Sequence, residues 1–136
     1  MGRTVTFDNI AVGDAGPAIA HTLTRTDLVM YAGASGDFNP MHHDEIAAQA
    51  AGLPSVFGHG MFTAGLLATA ITDFVGAGTL RSYRVRFTKQ TWPGEVLTTT
   101  VTVRETRPGN EVVLDCSVAN QDGETKIQGE AVAVLA

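Results

Sequence analysis

Residues 61–75 read MFTAGLLATAITDFV, and only Thr63, Thr69, Thr72 and Asp73 interrupt the apolar run. A helix on a protein surface shows one apolar stripe, whereas a helix apolar on most faces belongs inside. The stretch is too short to cross a bilayer, which needs about 20 apolar residues. It reads as a core helix, and the C-terminal half of the chain must cover it. Tyr83, Val85 and Phe87 alternate with Arg84, Arg86 and Thr88. Leu97, Thr99, Val101 and Val103 alternate with Thr98, Thr100, Thr102 and Arg104. Val112, Leu114, Cys116 and Val118 alternate with Val113, Asp115 and Ser117, and a last run covers Ile127 to Leu135. Pro93-Gly94, Pro108-Gly109-Asn110 and Asp122-Gly123 are turn signals. Period-two alternation with short turns specifies an antiparallel sheet that is polar on one side. The expected fold is α+β, an antiparallel sheet wrapped around a central buried helix. Length, with no repeat or linker, makes residues 1–136 one domain.

Upstream of the core helix, Thr24-Arg25-Thr26-Asp27 has the form of a capping box, and Leu28, Tyr31 and Ala32 follow at helical spacing. Gly33 and Gly36 end that pattern, and Pro40 makes residues 36–42 a loop. Asp44 caps a short helix through Ala51, which Gly52 and Pro54 stop. The loop carries Asp37 and His42 five residues apart across a proline turn. A turn can fold both toward one water or one substrate hydroxyl. A carboxylate and an imidazole in that position suit general acid–base chemistry, because imidazole titrates near neutrality and a desolvated carboxyl can be shifted toward it. Pro40 stiffens the loop by fixing φ, and Asn39 has an amide that can tie it to itself. The same residues also suit an ordinary Asp-x-Asn-Pro turn.

Phe57-Gly58-His59-Gly60-Met61 opens the core helix. The first amides of a helix are unpaired and lie at the positive end of its dipole. With glycine there, the backbone can approach a ligand, so the Gly60 amide is a candidate oxyanion donor. A tight turn into the helix accounts equally well for the two glycines. His42-His43-Asp44-Glu45 does not read as a metal site, because adjacent helical residues point about 100° apart, and His21 and His59 are remote in sequence. No metal is expected.

Nine Lys+Arg against fourteen Asp+Glu give a net charge of -5, which lacks the broad basic face that phosphate-backbone binding needs. The one cysteine, Cys116, excludes an intrachain disulfide and a thiolate metal cluster. Without a signal-like or membrane-spanning run, the expected location is the cytoplasm. Gly2 and Thr6 fit a myristoylation pattern too short to carry weight.

The run Tyr31 to Ala48 resembles the hydratase motif of the MaoC-like dehydratases, the R-specific enoyl-CoA hydratases. Tyr31, Ser35, Gly36, Asp37, Asn39, Pro40, Met41, His42 and Ala48 carry the match, while Ala34 and Met41 replace commoner branched aliphatics. The resemblance extends to His59-Gly60-Met61, to Val85-Arg86-Phe87 and to Pro93-Gly94-Glu95, where the family more often has Asp after the Gly. In length and layout the chain is most similar to the catalytic subunits of (3R)-hydroxyacyl-ACP dehydratases. The resemblance implies a hot-dog fold, commonly dimeric, with the substrate tunnel near the interface. It implies interconversion of trans-2-enoyl and (3R)-3-hydroxyacyl thioesters of CoA or acyl carrier protein, without a cofactor.

On that reading Asp37 and His42 handle the protons. Asp37 is the main base toward water and His42 shuttles a proton toward Cα, or the two exchange these roles. Gly60 stabilises the carbonyl as it gains charge, and Ser35 and Asn39 support the pair from behind. Phe38, Met61, Phe62, Leu66 and Trp92 are candidate walls for the acyl chain. Arg84, Arg86 and Lys89 are candidate cations for the carrier's phosphate, or a solvated strand face. A homodimer, or a heterodimer with a related subunit, is expected. The rival activities are a thioesterase on the same fold and an acyl-binding subunit that is active only beside an unlike partner.

Overall fold

Strand β2 (Leu80–Phe87) does not pair with the strand that comes after it in sequence. The sheet order in the computed structural model, which describes residues 5–136, is β1-β3-β4-β5-β2, and every pairing is antiparallel. Gly2 of the N-terminal pattern lies outside the described residues. Strands β3 (Val96–Arg107), β4 (Glu111–Ala119) and β5 (Thr125–Val134) form a meander. Its two hairpins fall at the expected turns, where Gly109, Asn110 and Gly123 take positive φ. Pro93-Gly94 closes no hairpin. It lies in the connection that carries the chain from edge strand β2 across the sheet to β3, and its Gly94 amide donates to the Leu23 carbonyl at 2.7 Å. A turn signal fixes a local bend, but which strands pair across it is a tertiary decision.

The far edge belongs to β1 (Ala20–Thr22), a strand the sequence pattern did not announce. Three residues, Ala-His-Thr, are too few to show a period. They are drawn into the sheet by β3, as are residues 13–16, which exchange backbone hydrogen bonds with Val101 and Val103. Leu97, Thr99, Val101 and Val103 on β3, and Val112, Leu114, Cys116 and Val118 on β4, are buried as expected, but Val113, expected on the polar face, is buried too, where the β3–β4 register shifts, and Phe87, expected inward on β2, is exposed.

Helix α3 (Gly60–Val75) lies across this face and touches β2 to β5. It buries Thr63, Ala64, Leu67, Ala70, Ile71 and Val75. Met61, Gly65, Thr69 and Asp73, spaced by four, form one exposed stripe. The core helix is therefore enclosed except along that line. Helix α1 (Arg25–Ser35) starts at the expected capping box, with the Thr24 Oγ1 accepting from the Asp27 amide at 3.0 Å and the Asp27 carboxylate accepting from the Thr24 amide at 2.9 Å. It passes through Gly33, which the pattern took as a stop, and ends at Gly36 in the left-handed region with φ 75°. Helix α2 (Glu45–Ala50) is capped by Asp44. Within the loop, Pro40–His42 forms a single 3-10 turn. No helix among the described residues is long and apolar enough to cross a membrane.

Candidate active site

The loop between α1 and α2 is tied at its C-terminal end through Glu45. Arg25 pairs with Glu45 at 2.8 Å, and the other Glu45 oxygen accepts from the Val56 amide at 2.9 Å. Within the loop each short polar side chain holds a neighbour's backbone. The Ser35 hydroxyl donates to the Tyr31 carbonyl at 2.7 Å and accepts from the Asp37 amide at 3.1 Å. Asp37 Oδ1 accepts from the Asn39 amide at 3.3 Å, and Asn39 Oδ1 accepts from the Met41 amide at 3.1 Å. Such Asx-type bonds substitute for a regular ladder and fix the bend. Ser35 and Asn39 thus hold the backbone of the loop that carries Asp37 and His42.

His42 is buried, and its Nδ1–H donates to the Phe57 carbonyl at 2.6 Å. That bond selects the tautomer and leaves Nε2 with a free lone pair. Nε2 faces Asp37 Oδ2 at 3.9 Å. The gap is too long for a direct hydrogen bond, but an oxygen lying beside it reaches both atoms at about 2.8 Å. Asp37 keeps 52% of its side chain exposed, so the pair opens outward from His42.

A third residue joins them. His59 is 2% exposed and stacks on His42 with ring centroids 3.9 Å apart and 27° between planes. Its Nε2 donates to the Asp37 carbonyl at 3.2 Å, and the Tyr31 ring meets it edge-on at 4.9 Å. Burial holds its pKa below the ordinary imidazole value. The sequence reading set His59 aside as remote. Its position as the residue before the core helix was the available signal, since a polar residue entering a buried element needs partners. His59 stands at the N-cap position of α3, without a side-chain capping bond, so Gly60 follows it directly at this site. The amides of Gly60 and Met61 have no hydrogen-bond partner among the described residues, as the first turn of a helix requires.

Asp37, His42 and His59 are the one group of metal-ligating atoms among the described residues that lie within 4.8 Å of one another. Stacked imidazoles direct their nitrogens along nearly parallel planes, which does not suit a tetrahedral ion.

The remaining candidates are scattered. Phe38 and Met61 are 63% and 61% exposed beside the pair. Phe62 packs its ring on Tyr31 and His21 at 5.6 and 5.7 Å. Leu66 packs against the core, and Trp92 meets Phe57 edge-on at 5.9 Å. Arg84 pairs with Glu130 at 3.5 Å across the β2–β5 ladder. Arg86 is exposed, and Lys89 lines a cavity that it shares with Gly60.

Residues 11–124 match the MaoC-like domain family. The 3-hydroxyacyl-thioester dehydratase Y of Mycobacterium tuberculosis is 38% identical over 104 residues, which cover 74% of this chain and 35% of that protein. The (R)-specific enoyl-CoA hydratase of Rhodospirillum rubrum is 29% identical over 131 residues, covering 95% of this chain and 90% of its own. An R-hydratase from Pseudomonas aeruginosa, solved without ligand, superposes with a TM-score of 0.86 at 28% identity, over 97% of this chain and 86% of that one.

Proposed function

The chain belongs to the MaoC-like domain family, and on that premise we propose that it is a hydro-lyase interconverting trans-2-enoyl and (3R)-3-hydroxyacyl thioesters by acid–base catalysis at Asp37 and His42. The observation that carries the reading is the 3.9 Å gap between Asp37 Oδ2 and His42 Nε2, beside a helix start whose first amides are unpaired.

In the hydration direction a water donates one hydrogen to each group, which aims its oxygen lone pair at C3 of the enoyl chain. Asp37 takes the water's proton as the C3–O bond forms and passes it across the gap to His42 Nε2, and His42 delivers it to C2. One proton thus moves from water to C2, and neither group gains or loses one over the cycle. Charge building on the thioester oxygen is met by the Gly60 amide. A donor of this kind is typically worth about 10²–10³ in rate. Phe38 and Met61 offer apolar surface to the acyl chain, and Lys89 offers charge to the carrier's phosphate. Nothing is oxidised or reduced, so the step needs no redox cofactor.

We assign the enzyme to the cytoplasm as a homodimer. Strand β2 is an edge strand of eight residues with Phe87, 52% exposed, at its end. An uncovered edge of that length invites pairing.

The deciding assay incubates the purified chain with crotonyl-CoA. Loss of enoyl absorbance without release of thiol is the expected result. Free thiol would mean a thioesterase. No reaction by the chain alone, with activity restored by a second hot-dog subunit, would mean that an unlike partner is needed.

A further inference from the structure

Asp37 and His42 each have an anchor of their own, and one residue touches both. Among the described residues, Ser35 and Asn39 of the same loop hydrogen-bond to Asp37, and His59 is the one partner from outside the loop. Local bonds of the first kind fix the bend of a loop, but they leave its distance from the rest of the molecule open. His59 closes that freedom. Its Nε2–H reaches the Asp37 carbonyl at 3.2 Å from 22 residues along the chain, and its ring lies on the His42 ring at 3.9 Å.

His59 is itself fixed from the other side. The Gly58 amide before it donates to the Thr91 carbonyl at 2.8 Å, and the His59 carbonyl accepts from the Phe62 amide at 3.1 Å in the first turn of α3. The residue after it is Gly60, whose amide meets the thioester oxygen in the step above. One imidazole therefore ties the carboxylate, the shuttling ring and the helix start together.

Its protonation suits that task. A bond from Nε2–H to a carbonyl makes Nδ1 the bare nitrogen. Nδ1 is buried without a partner among the described residues. A second proton there would be a buried donor with no acceptor, and a charge stacked on the ring that carries the travelling proton. Burial is the main cause that holds the His59 pKa down, and His42 adds to it while Asp37 pulls the other way. His59 thus stays a neutral ring and does not compete with His42 for the proton.

Resting on the acid–base reading above, we propose that His59 is a positioning residue, which holds Asp37 and His42 at the spacing the step needs and in register with the Gly60 amide.

Two variants of the full chain divide its contacts. His59→Phe keeps a ring against His42 and loses the N–H. His59→Gln keeps an N–H for the Asp37 carbonyl and loses the ring. On crotonyl-CoA each lowers kcat by about 10- to 100-fold, the loss that a misplacement of about 1 Å brings, with KM within twofold. The effect of the phenylalanine runs through Asp37, so adding His59→Phe to Asp37→Asn costs less than a further twofold. Losses that multiply in full would mean that His59 serves the fold alone and would overturn the proposal, as would kcat within twofold of wild type in both single variants. NMR reads the same contact without turnover. The Asp37 carbonyl carbon resonance shifts in His59→Phe and stays in place in His59→Gln. Should the chain hydrate nothing, the proposed function fails, yet this shift still decides the contact: an unmoved resonance in His59→Phe would overturn it. Should the variants not fold, nitrogen NMR of the wild type at pH 7.5 decides. A neutral His59 ring with its hydrogen on Nε2 supports the proposal, and a charged ring or a hydrogen on Nδ1 overturns it.

Discussion

Asp37 and His42 are anchored independently, one by the Asx-type bonds of its own loop and the other by the Phe57 carbonyl. Neither side chain belongs to the apolar core cluster, so each can be altered without unfolding the chain. Asp37→Asn and His42→Ala each lower kcat by about 10²–10⁴, the usual worth of a positioned acid–base group, while circular dichroism and melting stay close to wild type. Near-normal turnover by both variants would remove the roles assigned to them. His59 is the more deeply buried imidazole, 2% exposed against 8% for His42. Its depressed pKa means that the unfolded chain binds the proton more readily than the folded chain does. The stability it contributes is complete above about pH 6.5, the ordinary imidazole value, and is lost as pH falls through the lower folded value. Asp27, Glu45, Glu95 and Glu130 are also shifted downward, but carboxylates act nearer pH 4. Urea unfolding at pH 7.5 and 5.5 separates the two ranges: wild type weakens between them, and His59→Gln weakens by less. Asp37 and His42 were legible in the sequence because a proline turn joins them within one loop. His59 reaches them from 22 residues beyond Asp37, a separation that no local pattern spans.

At the level of elements, capping chemistry was legible because it is local. Thr24, Asp27 and Asp44 act within one helical turn, and the structure uses all three as caps. Thr24→Ala removes the acceptor for the Asp27 amide and costs about 1 kcal/mol in chemical denaturation; an unchanged midpoint would mean that the cap contributes nothing. Strand pairing was not legible to the same degree. Alternation marked four strands and their inward faces, yet it could not show that β2 pairs with β5. The ladder leaves a mark at Gly129, which lies opposite Val85. A side chain at 129 would press on the Arg84 carbonyl oxygen, a backbone atom that cannot turn aside. Gly129→Ala is therefore expected to destabilise the chain by about 1–3 kcal/mol through overpacking, measured as a fall in melting temperature. Gly60 is more tolerant, since the neighbour there is the Phe87 ring, 2.9 Å from where a methyl would stand, and a ring can shift.

Across the whole molecule, the Lys126–Glu95 ion pair joins the start of β5 to the connection that crosses from β2 to β3. Lys126 is 1% exposed, and Glu95 is held in addition by Asn120 and the Trp92 amide. Lys126→Met leaves the Glu95 carboxylate buried without its cation and costs about 3 kcal/mol, and adding Glu95→Gln recovers part of that loss in urea unfolding. Light scattering on the purified wild type is expected to read twice the 14.3 kDa chain mass; a monomer that still hydrates crotonyl-CoA would end the dimer proposal. The sequence by itself determined what short-range chemistry can encode: a helix too apolar to stay wet, strands with one greasy face, capped helix starts, and a loop bent by its own side chains to carry an acid and a base. Tertiary structure alone decided which strands became neighbours, that one stripe of α3 stays open, and that His59 and Gly60 meet the loop. These depend on contacts between segments far apart in the chain, and they form only where burying the whole apolar face outweighs the entropy of closing the intervening loops.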